Sequence, residues 1–222
     1  MTPKNSKRIL RCARDDKKHR GYFITFEGSE GAGKSTQIRN AVAFLKQRGC
    51  SVVMLREPGG TRISEAIRNI LLDKENTEMA HVTELLLYLA ARAQIVREKI
   101  LPALQQGKVV ICDRFEDSTR AYQGFGRKLS LAAIEQAGRL VRGNLKPDLT
   151  FVLDIDSEKG LQRGGRHDRI EREVMSFHRR VRQGFLAIAR KEPKRMTVLD
   201  ASKPVEWIRL KVQERLERVF GQ

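Results

Sequence analysis

Eight consecutive residues, Gly28-Ser29-Glu30-Gly31-Ala32-Gly33-Lys34-Ser35, follow the spacing G-x-x-x-x-G-K-[ST], with Thr36 next. Glycines at these places let a backbone turn tightly enough for its N–H groups to converge on phosphate oxygens. A lysine beside them reaches the outer phosphates of a nucleoside triphosphate, and a serine hydroxyl ligates Mg²⁺. A second cluster closes an apolar run: Val109-Val110-Ile111-Cys112 ends in Asp113-Arg114. A carboxylate there suits a metal ion on the phosphates, and the guanidinium suits a second phosphate. A third cluster, Leu161 to Glu171, carries Arg163, Arg166 and Arg169 at intervals of three, with Gly164-Gly165 between. Cations on a hinged loop can close over a reacting phosphoryl group.

Positioning these clusters takes strands that end at the site and helices that start there. Gly21 to Phe26 reads as a short apolar strand, and Lys34 to Arg48 as a helix with Ile38, Val42 and Leu45 on one face, capped by Gly49. Ser51–Leu55, Lys108–Cys112, Leu149–Ile155 and Met196–Leu199 read as further strands. Helices are expected over Thr61–Leu72, over Glu78–Gln106 with Pro102 bending or ending it, twice within Glu116–Arg142, and from about Val205 to Val219. Strands that are apolar along their whole length, alternating with helices, predict a three-layer α/β/α domain on a five-stranded parallel sheet, of the P-loop NTPase type.

The chain has 222 residues and a formal charge of +17. Such an excess fits a nucleic-acid partner, polyphosphate substrates, or a lineage with a basic proteome. Part of it is local, because residues 1–20 hold eight Lys/Arg against two Asp and little apolar content. That stretch reads as a flexible basic tail, with residues 21–222 as the domain and a lid near 161–171. No apolar run approaches a membrane span, and the N-terminus lacks the apolar core of a secretory signal. Three cysteines are too few and odd in number for a disulfide framework; Cys50 and Cys112 sit beside strands as small hydrophobes, and a reducing cytoplasm is expected.

Five blocks in order resemble the thymidylate kinase family, in its bacterial form. They are Phe26-Glu27 with the glycine-rich loop to Thr36, Arg56-Glu57-Pro58-Gly59-Gly60-Thr61, Ala90-Ala91-Arg92-Ala93-Gln94, Asp113-Arg114-Phe115-Glu116-Asp117-Ser118-Thr119 with Ala121-Tyr122-Gln123-Gly124, and Pro147-Asp148-Leu149. The resemblance covers about Gly21 to Ala201 and implies transfer of the γ-phosphate of ATP to dTMP, giving dTDP and ADP in dTTP biosynthesis, with Mg²⁺.

The same resemblance implies the roles of single residues. Gly28 to Thr36 would hold ATP, and Ser35 and Asp113 the metal. Tyr88, where the family usually has Phe, would stack on thymine four residues before Arg92, which would bond the base; Thr119 would meet the base edge. Tyr122 and Gln123 would line the same pocket, the tyrosine excluding a ribose 2′-hydroxyl. Glu57 and Pro58 would form a wall of the acceptor pocket. Arg114, and Arg68 if it is more than a surface arginine, would clamp the acceptor phosphate, and Glu30 would lie near the sugar 3′-hydroxyl. The variable loop positions hold no arginine, as in the bacterial type, whose lid supplies it. Arg163 fits that role by alignment, and Arg166 if the loop is contracted.

The family usually dimerises, and Leu85, Leu86, Leu87 and Leu89 offer an apolar face for a homodimer. Two rivals stand beside this reading: a kinase for another nucleoside monophosphate or a deoxynucleoside, and a basic nucleic-acid-binding P-loop protein. The absence of an RNA-binding signature or helix-turn-helix pattern argues against the second, so no nucleic acid or membrane partner is expected. Asn144-Leu145-Lys146-Pro147-Asp148 has the wrong spacing for a guanine-reading loop, which argues against a signalling GTPase.

Overall fold

The computed structural model describes residues 21–164 and 168–220, so the basic segment 1–20 lies outside the described residues. Five strands, β1 (Tyr22–Glu27), β2 (Val52–Arg56), β3 (Val109–Asp113), β4 (Leu149–Asp154) and β5 (Met196–Asp200), form one parallel sheet in the order β2-β3-β1-β4-β5. Alternate residues of β1 feed opposite layers. Tyr22, Ile24 and Phe26 pack with α1 (Lys34–Gln47) and α9 (Val205–Phe220). Phe23 points the other way, into a cluster with Ile95, Ile100, Leu104 and Phe115. Both faces are dry, which is why the strands are apolar along their whole length. Each such side chain taken fully from water contributes about 1.5–3 kcal/mol.

The helical layers depart from expectation in several places. The helix expected over Glu78–Gln106 starts later and has a wide turn: α3 (His81–Ile95) runs into a π-helical turn, Val96–Ile100, and then α4 (Leu101–Gln105). Pro102 sits in the first turn of α4 and does not end the helix. A proline in a regular α-helix meets the carbonyl four residues back, and the wider turn just before it relieves that conflict. Between β3 and β4, α5 (Glu116–Thr119) passes into a second π-helical stretch, Arg120–Gly126, before α6 (Leu131–Arg142). Leu85 and Leu89 of α3 are turned inward with Ile134 of α6, so of the four leucines expected on one face only Leu86 is exposed.

Past β4 come α7 (Ser157–Gly164) and α8 (Met175–Lys191). Sequence reading assigned no helix to α8, although Phe177, Val181, Phe185 and Ile188 stand at helical spacing and are buried. Its dense arginines obscured that stripe. Residues 161–164, expected to begin a lid, are the last turn of α7.

The sheet order sets the site. Phe26 pairs with Asp113 across β1 and β3, so the ends of these strands release the glycine-rich loop and the Asp113-Arg114 turn side by side. Connections leave β1 toward β2 and leave β3 toward β4, opening a crevice at the carboxyl ends of the strands.

Candidate active site

The glycine-rich loop starts where β1 ends. Gly31 has φ 65, and a Cβ there would lie 1.9 Å from the Gly160 carbonyl oxygen of α7, so this position demands glycine for shape and space alike. Gly33, at φ 84, introduces α1 with no side-chain cap. The first N–H groups of α1 are therefore left for an anion, and the helix dipole points its positive end at the same place. The Lys34 ammonium donates to the Gly28 and Ser29 carbonyls at 3.0 and 2.8 Å. Burial, then the neighbouring Arg114 cation, lowers its pKa to about 8.

Arg114 leaves β3 with φ 69, a left-handed backbone that bends its side chain over the loop. Its guanidinium donates to the Gly28 carbonyl at 2.9 Å, to Ser118 Oγ at 3.2 Å and to Glu30 Oε1 at 3.1 Å. Tyr122 donates its hydroxyl to the same Glu30 oxygen. Burial would raise the Glu30 carboxyl, but the His178 imidazole, the Arg114 and Lys34 cations and the Tyr122 hydroxyl outweigh it and hold the pKa at about 2. Glu27 anchors the turn from behind, accepting from Phe115 N at 2.8 Å and Ser118 Oγ at 2.5 Å. Its burial, and then Asp117, push that carboxyl up to about 8.

Arg92 and the Glu57-Pro58 loop form the other side. Thr61 caps α2 (Arg62–Leu72) by accepting from Ser64 N at 3.1 Å, and Ser64 Oγ donates to the Ala91 carbonyl at 2.9 Å, tying α2 to α3. Glu65 accepts from Gly60 N at 2.7 Å and fixes the loop, whose Glu57–Pro58 bond is cis. Arg92, 2% exposed, donates from Nε to Glu57 Oε2 at 2.8 Å and from Nη2 to Thr119 Oγ1 at 2.9 Å. Its Nη1 has no hydrogen-bond partner among the described residues. Arg68 donates to the Pro58 carbonyl at 2.9 Å, which orients it along the loop. Half-buried Tyr88 stands one turn before Arg92.

One cavity of about 320 Å³ joins these parts. Its lining includes Glu30, Gly31, Lys34 and Ser35 of the glycine-rich loop and α1, Tyr88 and Arg92 of α3, Thr119 and Gln123, with Asp113, Arg114 and Tyr122. Glu57, Pro58 and Arg68 complete the sequence-predicted set there. Gly28 and Ser29 reach the site through the carbonyls that hold Lys34 and Arg114. Ala32 is buried under the loop, and Thr36 follows Ser35 in the first turn of α1.

Of the two expected lid arginines, Arg163 is not among the cavity residues. Arg163 donates to the Ala201 carbonyl at 3.1 Å, and Arg166 lies outside the described residues. Arg169 is turned away from the cavity, donating to Glu84 at 2.7 Å and to the Leu71 carbonyl at 3.1 Å.

Sequence reading missed several residues of this site. Asp168, Ile170 and Glu171, within the segment expected as a lid but given no individual role, line the cavity. Glu84, fully buried on α3, accepts from Gln123 Nε2 at 2.8 Å and pairs with Arg127 and Arg169 at 2.9 and 2.7 Å. His178 of α8 stands behind Glu30. The only signal for Glu84 was an acidic residue on an otherwise apolar helix face.

The donor set also fits a hard cation. Ser35 is exposed at the start of α1, and Asp113 Oδ1 is buried with no partner among the described residues; both line the cavity. No cluster of three or more His, Cys, Asp or Glu that could hold a metal gathers among the described residues. These two oxygens therefore suit an ion such as Mg²⁺ that takes its remaining ligands from phosphates and water. Chemically, the cavity gathers a glycine-rich loop with free helix N–H groups and a lysine, a buried arginine with an open donor, and the Arg114 guanidinium.

A family model described as thymidylate kinase matches residues 26–212. The chain is 52% identical to the thymidylate kinase of Geobacter sulfurreducens over 84% of its own length and 92% of that protein's. It is 50% identical to that of Pelotomaculum thermopropionicum over 90% of its length and 95% of that protein's. The crystal structure of thymidylate kinase from Ehrlichia chaffeensis superposes with a TM-score of 0.73 at 37% identity, covering 88% of this chain and 98% of that one.

Proposed function

The chain belongs to the thymidylate kinase family, and from that premise we propose that it transfers the γ-phosphate of ATP to the 5′-phosphate of dTMP. An oxygen of the dTMP phosphate attacks the γ-phosphorus, the bond from that phosphorus to the β-γ bridging oxygen breaks, and dTDP and ADP leave.

The observation that carries this reading is that one cavity is lined by residues of the glycine-rich loop, by Tyr88, Arg92 and Thr119, and by Arg114. Phosphoryl transfer asks little covalent chemistry of the protein; it asks for alignment and positive charge. Gly28 to Thr36 would bind the triphosphate, with Lys34 moving from its carbonyl partners to the β- and γ-phosphates. Bound at Ser35 and Asp113, Mg²⁺ would neutralise charge on the donor phosphates. Arg114, with Arg68 and the Glu57-Pro58 wall, would clamp the acceptor phosphate. Tyr88 would stack on thymine, and the open Arg92 donor and Thr119 would meet its polar edge, with Gln123 closing the pocket. Glu30 would face the sugar 3′-hydroxyl, and the Tyr122 ring would leave no room for a 2′-hydroxyl. Arg163 or Arg166 would supply the lid cation.

No helix among the described residues is long and apolar enough to cross a membrane. A cytoplasmic homodimer is the assembly we propose, with exposed Val82 and Leu86 of α3 in its contact. The test of the reaction is phosphorus NMR of the chain with ATP, Mg²⁺ and dTMP. Paired growth of dTDP and ADP is expected, and ATP consumed without dTDP would overturn the assignment.

A further inference from the structure

His178 lies on α8, 1% exposed, and does not line the cavity. Its neighbour Phe177 meets the ring edge-on, with centroids 5.4 Å apart. Neither ring nitrogen has a hydrogen-bond partner among the described residues, and Glu30 Oε2 is in the same condition. Of the two nitrogens, Nδ1 lies 3.8 Å from Oε2. The gap exceeds a normal hydrogen bond, so in this structure the pair stands just short of bonding.

The chemistry of the pair is directional. Glu30 is a carboxylate at neutral pH, an acceptor only, and both of its donors, Arg114 and Tyr122, sit on Oε1. Oε2 lacks a donor, and the imidazole Nδ1, itself without a partner among the described residues, stands 3.8 Å from it. A phenylalanine would pack here without stranding two nitrogens, so packing alone does not account for a histidine.

We propose that His178 is a positioning residue for phosphoryl transfer: with substrates bound, its Nδ1–H donates to Glu30 Oε2 and holds the carboxylate with Oε1 turned to Arg114 and Tyr122. The movement required is about 1 Å, to bring the pair to hydrogen-bond distance. Without it the carboxylate is free to rotate, Tyr122 loses its acceptor, and Arg114 loses one of its anchors. This rests on the kinase reading of the site.

Two variants and one spectrum test it. His178→Phe keeps a ring without a donor; His178→Asn keeps an N–H near the place of Nδ1. The phenylalanine variant is expected to lose about tenfold or more in kcat, because a misaligned clamp misplaces the acceptor, with KM for ATP within about threefold of wild type. The asparagine variant should recover most of the loss. In the full chain with ADP, Mg²⁺ and dTMP, nitrogen-15 correlation spectra should show a protonated, hydrogen-bonded Nδ1 at His178. The chain has four histidines, so the signal missing from the asparagine variant identifies it.

Wild-type kinetic constants in His178→Phe, a loss of thermal stability alone, or an unprotonated Nδ1 in the complex would each overturn the proposal. If the phenylalanine variant does not fold, the asparagine variant and the wild-type spectrum still decide. A wild-type chain that makes no dTDP takes the kinase reading down as well. One that makes it, with the phenylalanine variant equally active, takes down only this inference.

Discussion

Arg92 Nε lies 2.8 Å from Glu57 Oε2, and the two side chains are only 2% and 4% exposed. Burial pushes the Glu57 carboxyl up and Arg92 pulls it back, so each charge depends on the other. Glu57→Ala would leave a guanidinium buried without its partner, at a cost of about 3–5 kcal/mol. The double variant with Arg92→Met should recover part of that. Urea unfolding of the four members of the cycle measures the coupling, and additivity within about 0.5 kcal/mol would contradict it.

Gly31 and Gly33 separate two reasons for a glycine. Both have positive φ, but a Cβ at Gly31 meets the Gly160 carbonyl at 1.9 Å, whereas a Cβ at Gly33 meets nothing within 4 Å. Gly33→Ala should therefore cost only the left-handed backbone, about 1–2 kcal/mol. Gly31→Ala must also displace α7, and should lose ATP binding outright. Thermal unfolding and titration with ATP compare them; equal effects would show that the contact with α7 is immaterial.

Glu27 predicts a slope in stability with pH. Its folded pKa is about 8 against 4.5 as the ordinary value, so the folded state holds the proton more tightly. That contribution is fully present below 4.5 and is lost as pH rises through about 8. Glu27→Gln, neutral at every pH, should flatten the decline between these limits. Chemical unfolding at several pH values reads it, and an unchanged slope would refute the assignment.

Much of this was legible in the sequence because it is local. The five strands are apolar runs that need no context, and the glycine-rich loop announces itself by spacing. Asp113-Arg114 could be placed because it ends such a run. Glu84 and His178 could not, because the partners that define them are 39 to 148 residues away, and a lone charge on a helix reads as solvent-facing until its cations appear. The π-helical turns escaped for a related reason: period alone does not distinguish a wide turn from a proline break.

Glu84 is held among cations. Glu84→Gln keeps the shape but removes the charge that pairs Arg127 and Arg169 and accepts from Gln123. Stability should fall by about 3–5 kcal/mol as two arginines lose a buried partner. KM for dTMP should rise while KM for ATP holds, because Gln123 is loosened and the glycine-rich loop is not. Steady-state kinetics with each substrate varied would expose the opposite pattern.

Which monophosphate the cavity accepts decides the function. A coupled assay of ADP release, run with the deoxy and ribo monophosphates of all the common bases, should show turnover strongly favouring dTMP. Arg114→Ala should abolish it with the fold intact. Preferred turnover of another monophosphate would contradict the roles given to Tyr88, Arg92 and Thr119, and full activity in Arg114→Ala would contradict the phosphate clamp.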